Sequence, residues 1–438
     1  MVFTLSCPRP IFARADSAAD LKRDLQQAIG KKNLDRASRL IEELILLGTA
    51  DAMEAICDYA FSADDAQMEK YAIDKLSTVP TGGEAILKLS EIAKRHKDFR
   101  VRVALMNALG MRSEQEAVTA LHQGLYDGML SVARAALESV KTRDSLLSID
   151  ALIDALEHQE QQGRSTESLH FEIRSLLTYL TAESFESAID WRNFWSARKD
   201  NFQRPTEAKR AESRTGVKKD APVFFEHEVA SSKLLFVLDV SGSMKKRDPL
   251  PEEVGEAEKK KEGGKTGVPK KDGEDDEPDP PKQEDIPQSR ERLARVQKEL
   301  IATIEKLPAK TKFNILTFSH KVELFRPEGL IDGSKVNKQR AIEFVRNFRP
   351  EGETHTDEAL EKAFEFRDID SIFLLSDGAP RRDDKLLETA PILERVRDLN
   401  RFRRIRVFTV GFEQAGKSLR EFMRRLAYQN GGSYRGLR

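Results

Sequence analysis

The stretch Leu234-Leu235-Phe236-Val237-Leu238-Asp239-Val240-Ser241-Gly242-Ser243 decides the fold. Its apolar opening is too short for a helix and too uniformly apolar for a strand with one wet face. It therefore reads as a strand buried on both sides. The acid and hydroxyls that follow stand at the carboxyl end of that strand. Downstream, similar runs alternate with amphipathic helices. A helix at 290–306 leads into the strand Phe313–Phe318, and Val322–Phe325 is a short hairpin partner at the sheet edge. Helices follow at 335–348 and 356–366, then the strand Ser371–Leu375. A helix at 385–400 precedes the strand Ile405–Val410. A last helix at 418–429 leads to a terminal strand near Gly432–Leu437. This alternation specifies an α/β domain over residues 230–438, with a doubly wound, mainly parallel sheet covered on both faces.

Upstream the period changes from two to three and four. Leu21-Leu25-Ala28, Ala37-Leu40-Ile41-Leu44 and Ala85-Ile86-Leu89-Ile92 mark short helices, separated at Pro80–Gly83, Gly110 and Gly128. The segments Asp98–Ala104 and Asp127–Ala133 are alike, and each opens an Ala/Leu-rich helix. They resemble HEAT-like repeats, in which an Asp starts the second helix of a pair and a Val-Arg step packs on the neighbouring pair. An all-α helical-repeat domain is therefore expected over 17–203. Trp191 and Trp195 share one helical face and read as buried anchors closing that domain. Residues 204–229 read as a linker, because 204–221 are charged and lack aromatics. Residues 1–16 read as a disordered end. Ala13-Arg14-Ala15 also has the form of a cleavage site at the tail of a signal peptide, but without a basic start.

Bulk properties narrow the function classes. A chain of 438 residues is too long for one core. Lys+Arg at 73 against Asp+Glu at 74 leaves a formal charge of −1, which gives no electrostatic footprint for nucleic acid. Cys7 and Cys57 have no CxxC spacing, so neither a disulfide framework nor a thiolate zinc site is expected. No run is long enough for a membrane span. A soluble protein follows, cytoplasmic or exported.

Three pieces carry chemistry: Asp239-x-Ser241-x-Ser243 after the first strand, Thr354 before a helix, and Asp377 in Leu374-Leu375-Ser376-Asp377-Gly378. In an open α/β sheet, strand ends converge on one crevice. Two carboxylates and three hydroxyls there make an all-oxygen site that suits octahedral Mg²⁺ or Mn²⁺ better than Ca²⁺. On these residues, 230–438 resembles a von Willebrand factor type A domain, whose metal-ion-dependent adhesion site has the form D-x-S-x-S, a distant Thr and a distant Asp. The resemblance implies direct coordination by Ser241, Ser243 and Thr354, with Asp239 and Asp377 acting largely through waters. It also implies a coordination place left for a Glu or Asp of a protein partner. His355 reads as a loop residue that positions Thr354.

One stretch departs from that pattern. Lys245 to Gln288 lacks aromatics, is rich in Lys, Glu, Asp, Pro and Gly, and is expected to be disordered. It interrupts the domain beside the metal loop. Either it is a tolerated surface insertion, or an acid in Glu274-Asp275-Asp276-Glu277 reaches back to the metal. The expected function is non-enzymatic, metal-dependent protein binding. The alternatives are an RNA or ribonucleoprotein binder, since Ro-type proteins join helical repeats to such a domain, and an adaptor for an AAA-type ATPase. No G-x-x-x-x-G-K-[ST] loop and no G-x-S-x-G elbow occur, which argues against a nucleotidase or a serine hydrolase in this chain.

Overall fold

A computed structural model describes residues 17–62, 65–80, 83–213, 222–249, 283–284, 286–383 and 385–438. The expected signal-peptide remnant at 1–16 lies outside the described residues. So do most of the expected insertion, 250–282, and its acidic run.

The amino-terminal part is all helix: α1 (Ala18–Gly30), α2 (Leu34–Leu47), α3 (Ala50–Tyr59), α4 (Ala66–Leu76), α5 (Glu84–Arg95), α6 (Phe99–Gly110), α7 (Gln115–Gly124), α8 (Leu130–Arg143), α9 (Ile149–Gln161), α10 (Ser168–Thr181), α11 (Ala188–Arg198) and α12 (Glu207–Glu212). The starts are written in the sequence. Ser17, Asn33, Thr49, Asp65 and Asp98 each accept a hydrogen bond from a first-turn N–H with the side chain. That satisfies donors a helix otherwise leaves orphaned. Trp191 is fully buried and Trp195 nearly so, with the Trp195 ring edge-on to Phe202 at 5.3 Å. The two repeat-like segments are tied directly. Arg102, in the Val-Arg step of the first, donates through Nε and Nη2 to Asp127 of the second, at 2.8 and 2.9 Å. None of the described helices is long and apolar enough to cross a membrane.

The chain divides into two compact units. One comprises the chain up to His158 with Leu176–Glu183 and Ser187–Ser213. The other holds Gln159–Ser175, Ser184–Glu186 and the described residues from 222 onward. The second unit contains the sheet. Its strands are β3 (Lys233–Asp239), β4 (Lys312–Phe318), β5 (Val322–Leu324), β6 (Ile331–Asp332), β7 (Ser371–Ser376), β10 (Arg406–Phe412) and β11 (Tyr434–Leu437), in the order β11-β10-β7-β3-β4-β5 with β6 also on β4. Pairings among β3, β4, β7, β10 and β11 are parallel, and β5 and β6 run antiparallel to β4. Alternation along β3 sends Leu234, Phe236 and Leu238 to one face and Leu235 and Val237 to the other. The first face is covered by α13 (Arg292–Lys306) and α14 (Lys335–Arg346). The second is covered by α15 (Thr356–Glu365), α16 (Thr389–Asn400) and α17 (Lys417–Gln429).

Three expectations are corrected. The expected linker 204–229 contains α12 and a hairpin, β1 (Val223–Phe224) with β2 (His227–Glu228). Phe224 is fully buried, edge-on to Phe236 at 5.3 Å, and burying one such ring supplies about 2–3 kcal/mol. The expected helix start at 385 is instead the return strand of a second hairpin, β8 (Arg381–Arg382) with β9 (Lys385–Leu386). The helix begins at Thr389, where Pro391 falls in a first turn that needs no donor from it. The expected disorder at 245–288 does not extend to both ends: 245–249 and 286–288 are among the described residues, and Asp248 and Ile286 are buried.

The Arg102–Asp127 pair is 13% and 10% exposed at its side chains, so losing one partner strands a largely desolvated charge. Asp127→Ala is expected to lower the unfolding midpoint by the equivalent of about 2–3 kcal/mol. Asp20→Ala, which breaks a pair 50% and 74% exposed, should cost under about 1 kcal/mol by the same denaturant titration.

Candidate metal centre

Sheet order brings the site together. β3 lies between β4 and β7, so the chain reverses its direction of winding there and the carboxyl ends of β3 and β7 open side by side. The register pairs Leu238 with Leu375, which sets Asp239 next to Ser376 and Asp377. Asp239 is fully buried: its Oδ1 accepts from the Ser241 N–H at 2.8 Å, and its Oδ2 accepts from Ser376 Oγ at 2.6 Å. Ser241 Oγ and Ser243 Oγ are 3.0 Å apart, and Ser243 Oγ donates to Asp377 Oδ1 at 2.6 Å. Four of the five expected residues therefore form one connected cluster of oxygens.

Thr354 arrives through its loop. The Gly242 N–H donates to Gly352 O at 3.0 Å and the Glu351 N–H to Val240 O at 2.8 Å, stitching that loop to the serine loop. Gly352 has φ +70°, and a Cβ there would lie 1.9 Å from His320 Nδ1, so only glycine fits. Thr354 is buried, and its Oγ1 sits 2.9 Å from where a Cβ on Gly378 would stand, which puts the hydroxyl against the Asp377-Gly378 turn. The His355 ring lies 3.4 and 3.6 Å from the Glu353 and Glu358 carboxylates, and its backbone N–H donates to Ser319 O at 3.0 Å. That backbone bond ties the Thr354 loop to Ser319.

The electrostatics of Asp239 are unusual. Among the described residues no Lys, Arg or His pairs with it, and its charged neighbour is another acid, Asp377. Burial, and then the Asp377 charge, push its pKa up to about 7, against the opposing hydrogen bonds from Ser241 and Ser376. A buried acid beside a second acid favours a cation between them. Among the described residues no group of three or more His, Cys, Asp or Glu is arranged to hold a metal ion, so an ion at this crevice would need the hydroxyls as ligands.

Two residues escaped the sequence reading. Arg292 donates to Asp377 Oδ2 at 2.8 Å, and Asp248 holds Arg292 from the other side. The available signal was Arg290, Arg292 and Arg295 at the start of a helix, where the macrodipole disfavours cations unless acids face them.

Residues 287–436 match the family model of the von Willebrand factor type A domain. The sheet-bearing unit contains a domain of this family. The match includes Thr354 and Asp377 and begins at the carboxyl end of the insertion, and the strand at 233–239 joins the matched part through its pairing with β4 and β7. Over 144 residues the chain is 29% identical to human von Willebrand factor A domain-containing protein 3A, covering 32% of this chain and 12% of that protein. Over 130 residues it is 29% identical to human von Willebrand factor A domain-containing protein 3B, covering 30% of this chain and 9% of that protein. The chain thus spans about a tenth of the length of either relative. Among solved structures, a von Willebrand factor type A protein from Catenulispora acidiphila aligns with TM-score 0.32 and 13% identity, over 48% of this chain and 39% of that one. The PilB minor pilin from Streptococcus sanguinis aligns with TM-score 0.30 and 10% identity, over 48% and 58%.

The raised pKa of Asp239 has a signed consequence. A carboxylate whose folded pKa lies above its unfolded value contributes stability below the unfolded pKa and loses it as pH rises through the folded one. In EDTA the wild-type thermal midpoint should therefore fall between pH 5 and pH 8 relative to that of Asp239→Asn. The Asn amide can donate to Ser376 Oγ and never ionises. Parallel pH profiles for the two proteins would contradict this account of Asp239.

Proposed function

We propose that the von Willebrand domain is a metal-dependent protein-binding module in which Asp239, Ser241, Ser243, Thr354 and Asp377 hold one Mg²⁺, with Mn²⁺ as the nearest substitute. The observation that carries this reading is the buried Asp239 carboxylate, hydrogen-bonded to Ser241 and Ser376, with a second acid, Asp377, as its charged neighbour and no cationic side chain paired to it among the described residues. Each residue has a distinct part. Asp239 orients the serine loop through the Ser241 N–H and takes the Ser376 hydroxyl. Ser241, Ser243 and Thr354 offer neutral oxygens, and Asp377 supplies the second charge. When bound, the cation is a Lewis acid that attracts a partner's carboxylate. Neutral hydroxyl ligands leave more of that attraction unspent than carboxylates would. The partner feature that fits is an exposed Glu or Asp. In this reading the domain acts by binding, with the serine hydroxyls serving as ligands to the cation. No specific observation favours the RNA-binding or ATPase-adaptor alternatives.

Titrating Mg²⁺ into the full chain by calorimetry should give one site, absent in Asp239→Ala. Ser376→Ala, which removes a hydrogen bond to Asp239 and no ligand, should bind about 10–100-fold more weakly. For the partner chemistry, water-proton relaxation of the Mn²⁺-loaded protein should fall on adding a short peptide with one glutamate. It should stay unchanged with the glutamine version; equal responses to both peptides would sink the carboxylate reading.

A further inference from the structure

Behind Asp377 runs a chain of ion pairs that the metal reading does not use. Asp377 splits its two oxygens: Oδ1 accepts from Ser243, and Oδ2 accepts from Arg292 Nη1 at 2.8 Å. Asp248 Oδ1 accepts from Arg292 Nε at 2.9 Å and Nη2 at 2.8 Å, and its Oδ2 accepts from Arg295 Nη1 at 3.0 Å. Both guanidinium groups lie over the Phe412 ring, 5.0 and 5.5 Å from its centroid. The side chains of Arg292, Asp248 and Asp377 are 5%, 2% and 0% exposed, so these charges are almost wholly desolvated.

Asp248 belongs to the neck of the insertion. Arg247 bridges Glu291 in antiparallel fashion, the Asp248 N–H donates to Arg290 O at 3.2 Å, and the Arg292 N–H donates to Lys246 O at 3.0 Å. Arg290 Nη2 adds a bond to Pro249 O at 2.8 Å. A neck that only closed a surface loop would need the backbone bonds and no buried charge. Desolvating an arginine between two acids is costly, and that cost calls for a reason at the metal end.

We propose that Asp248 sets the cation affinity of the site by holding Arg292 off Asp377, so that the neck of the insertion and the metal centre are coupled through two side chains. This rests on the metal reading above. With Asp248 in place, two guanidinium N–H groups are occupied and one reaches Asp377, which leaves Oδ1 to the serine side. Without the Asp248 carboxylate, Arg292 is free to close on Asp377 as a bidentate pair, the geometry that guanidinium and carboxylate prefer. Its charge also stands unmatched beside the cation. Both changes weaken cation binding. Asp248 and Arg292 are thus positioning residues with opposite signs.

The test is calorimetric titration of Mg²⁺ into four full-length proteins: wild type, Asp248→Asn, Arg292→Gln, and the double variant, each checked for fold by circular dichroism. Asp248→Asn is expected to bind about tenfold or more weakly, Arg292→Gln at least as tightly as wild type, and the double variant as Arg292→Gln does. A merely structural role predicts that both single variants weaken and the double is no better; that result, or an unchanged Asp248→Asn, overturns the proposal. If Arg292→Gln does not fold, Arg292→Lys takes its place, because a lysine cannot form the bidentate pair. Combined with Asp248→Asn it must bind Mg²⁺ more tightly than Asp248→Asn alone, and failure to do so overturns the proposal. Coupling is reciprocal, so Mg²⁺ must also slow amide exchange at 246–248 and 290–292 in wild type and do so less in Asp248→Asn. A wild type that binds no Mg²⁺ defeats the metal reading and this proposal together. A wild type that binds it, with Asp248→Asn unaltered, defeats the coupling alone.

Discussion

Two carboxylates stand side by side at the carboxyl ends of adjacent parallel strands, and one of them, Asp239, is fully buried with no positive side chain paired to it among the described residues. That pairing is the constraint around which the sheet-bearing unit is arranged. Hydroxyls from three loops turn toward it, the Gly352 backbone takes a left-handed conformation over His320 to bring Thr354 in, and Gly378 stays without a side chain so that Thr354 has room. Each device costs conformational freedom or stability, and none improves the packing of the core. Strain and unbalanced charge gathered at one crevice are what a ligand site looks like when the ligand supplies the missing charge.

Much of this was legible in the sequence because it depends on local period and on composition. The unbroken apolar run at 234–238 is a central strand, and a strand buried on both faces rarely carries an acid before it ends. Asp239 therefore marks the strand's end and the site in one residue. The same reasoning holds at Leu374-Leu375-Ser376-Asp377. What was not legible depends on contacts between distant segments. Asp248 lies in a stretch whose composition speaks for disorder, and its partners Arg290, Arg292 and Arg295 stand more than forty residues away in sequence. Phe224 likewise looks like the tail of a charged linker until Phe236 and Phe373 are placed beside it. The hairpin at 381–386 was hidden because the apolar spacing after 385 continues into the helix without a break.

The two units differ in how they spend buried charge. In the helical unit, Arg102 and Asp127 join neighbouring repeats and match one charge with one charge. In the von Willebrand domain, Asp248, Arg292, Arg295 and Asp377 balance as a group, while Asp239 stands outside the balance. In the second, Asp239 is left without a matching cationic side chain among the described residues, while the neck of the insertion shares one ion-pair group with Asp377.

The central claim is that these five residues hold a metal, and diffraction from crystals grown with Mn²⁺ tests it most directly. The account predicts one strong anomalous peak within coordination distance of the Ser241, Ser243 and Thr354 hydroxyls, beside Asp239 and Asp377, lost on Asp239→Ala. No peak there at millimolar Mn²⁺, or a peak bound only elsewhere on the chain, would contradict it.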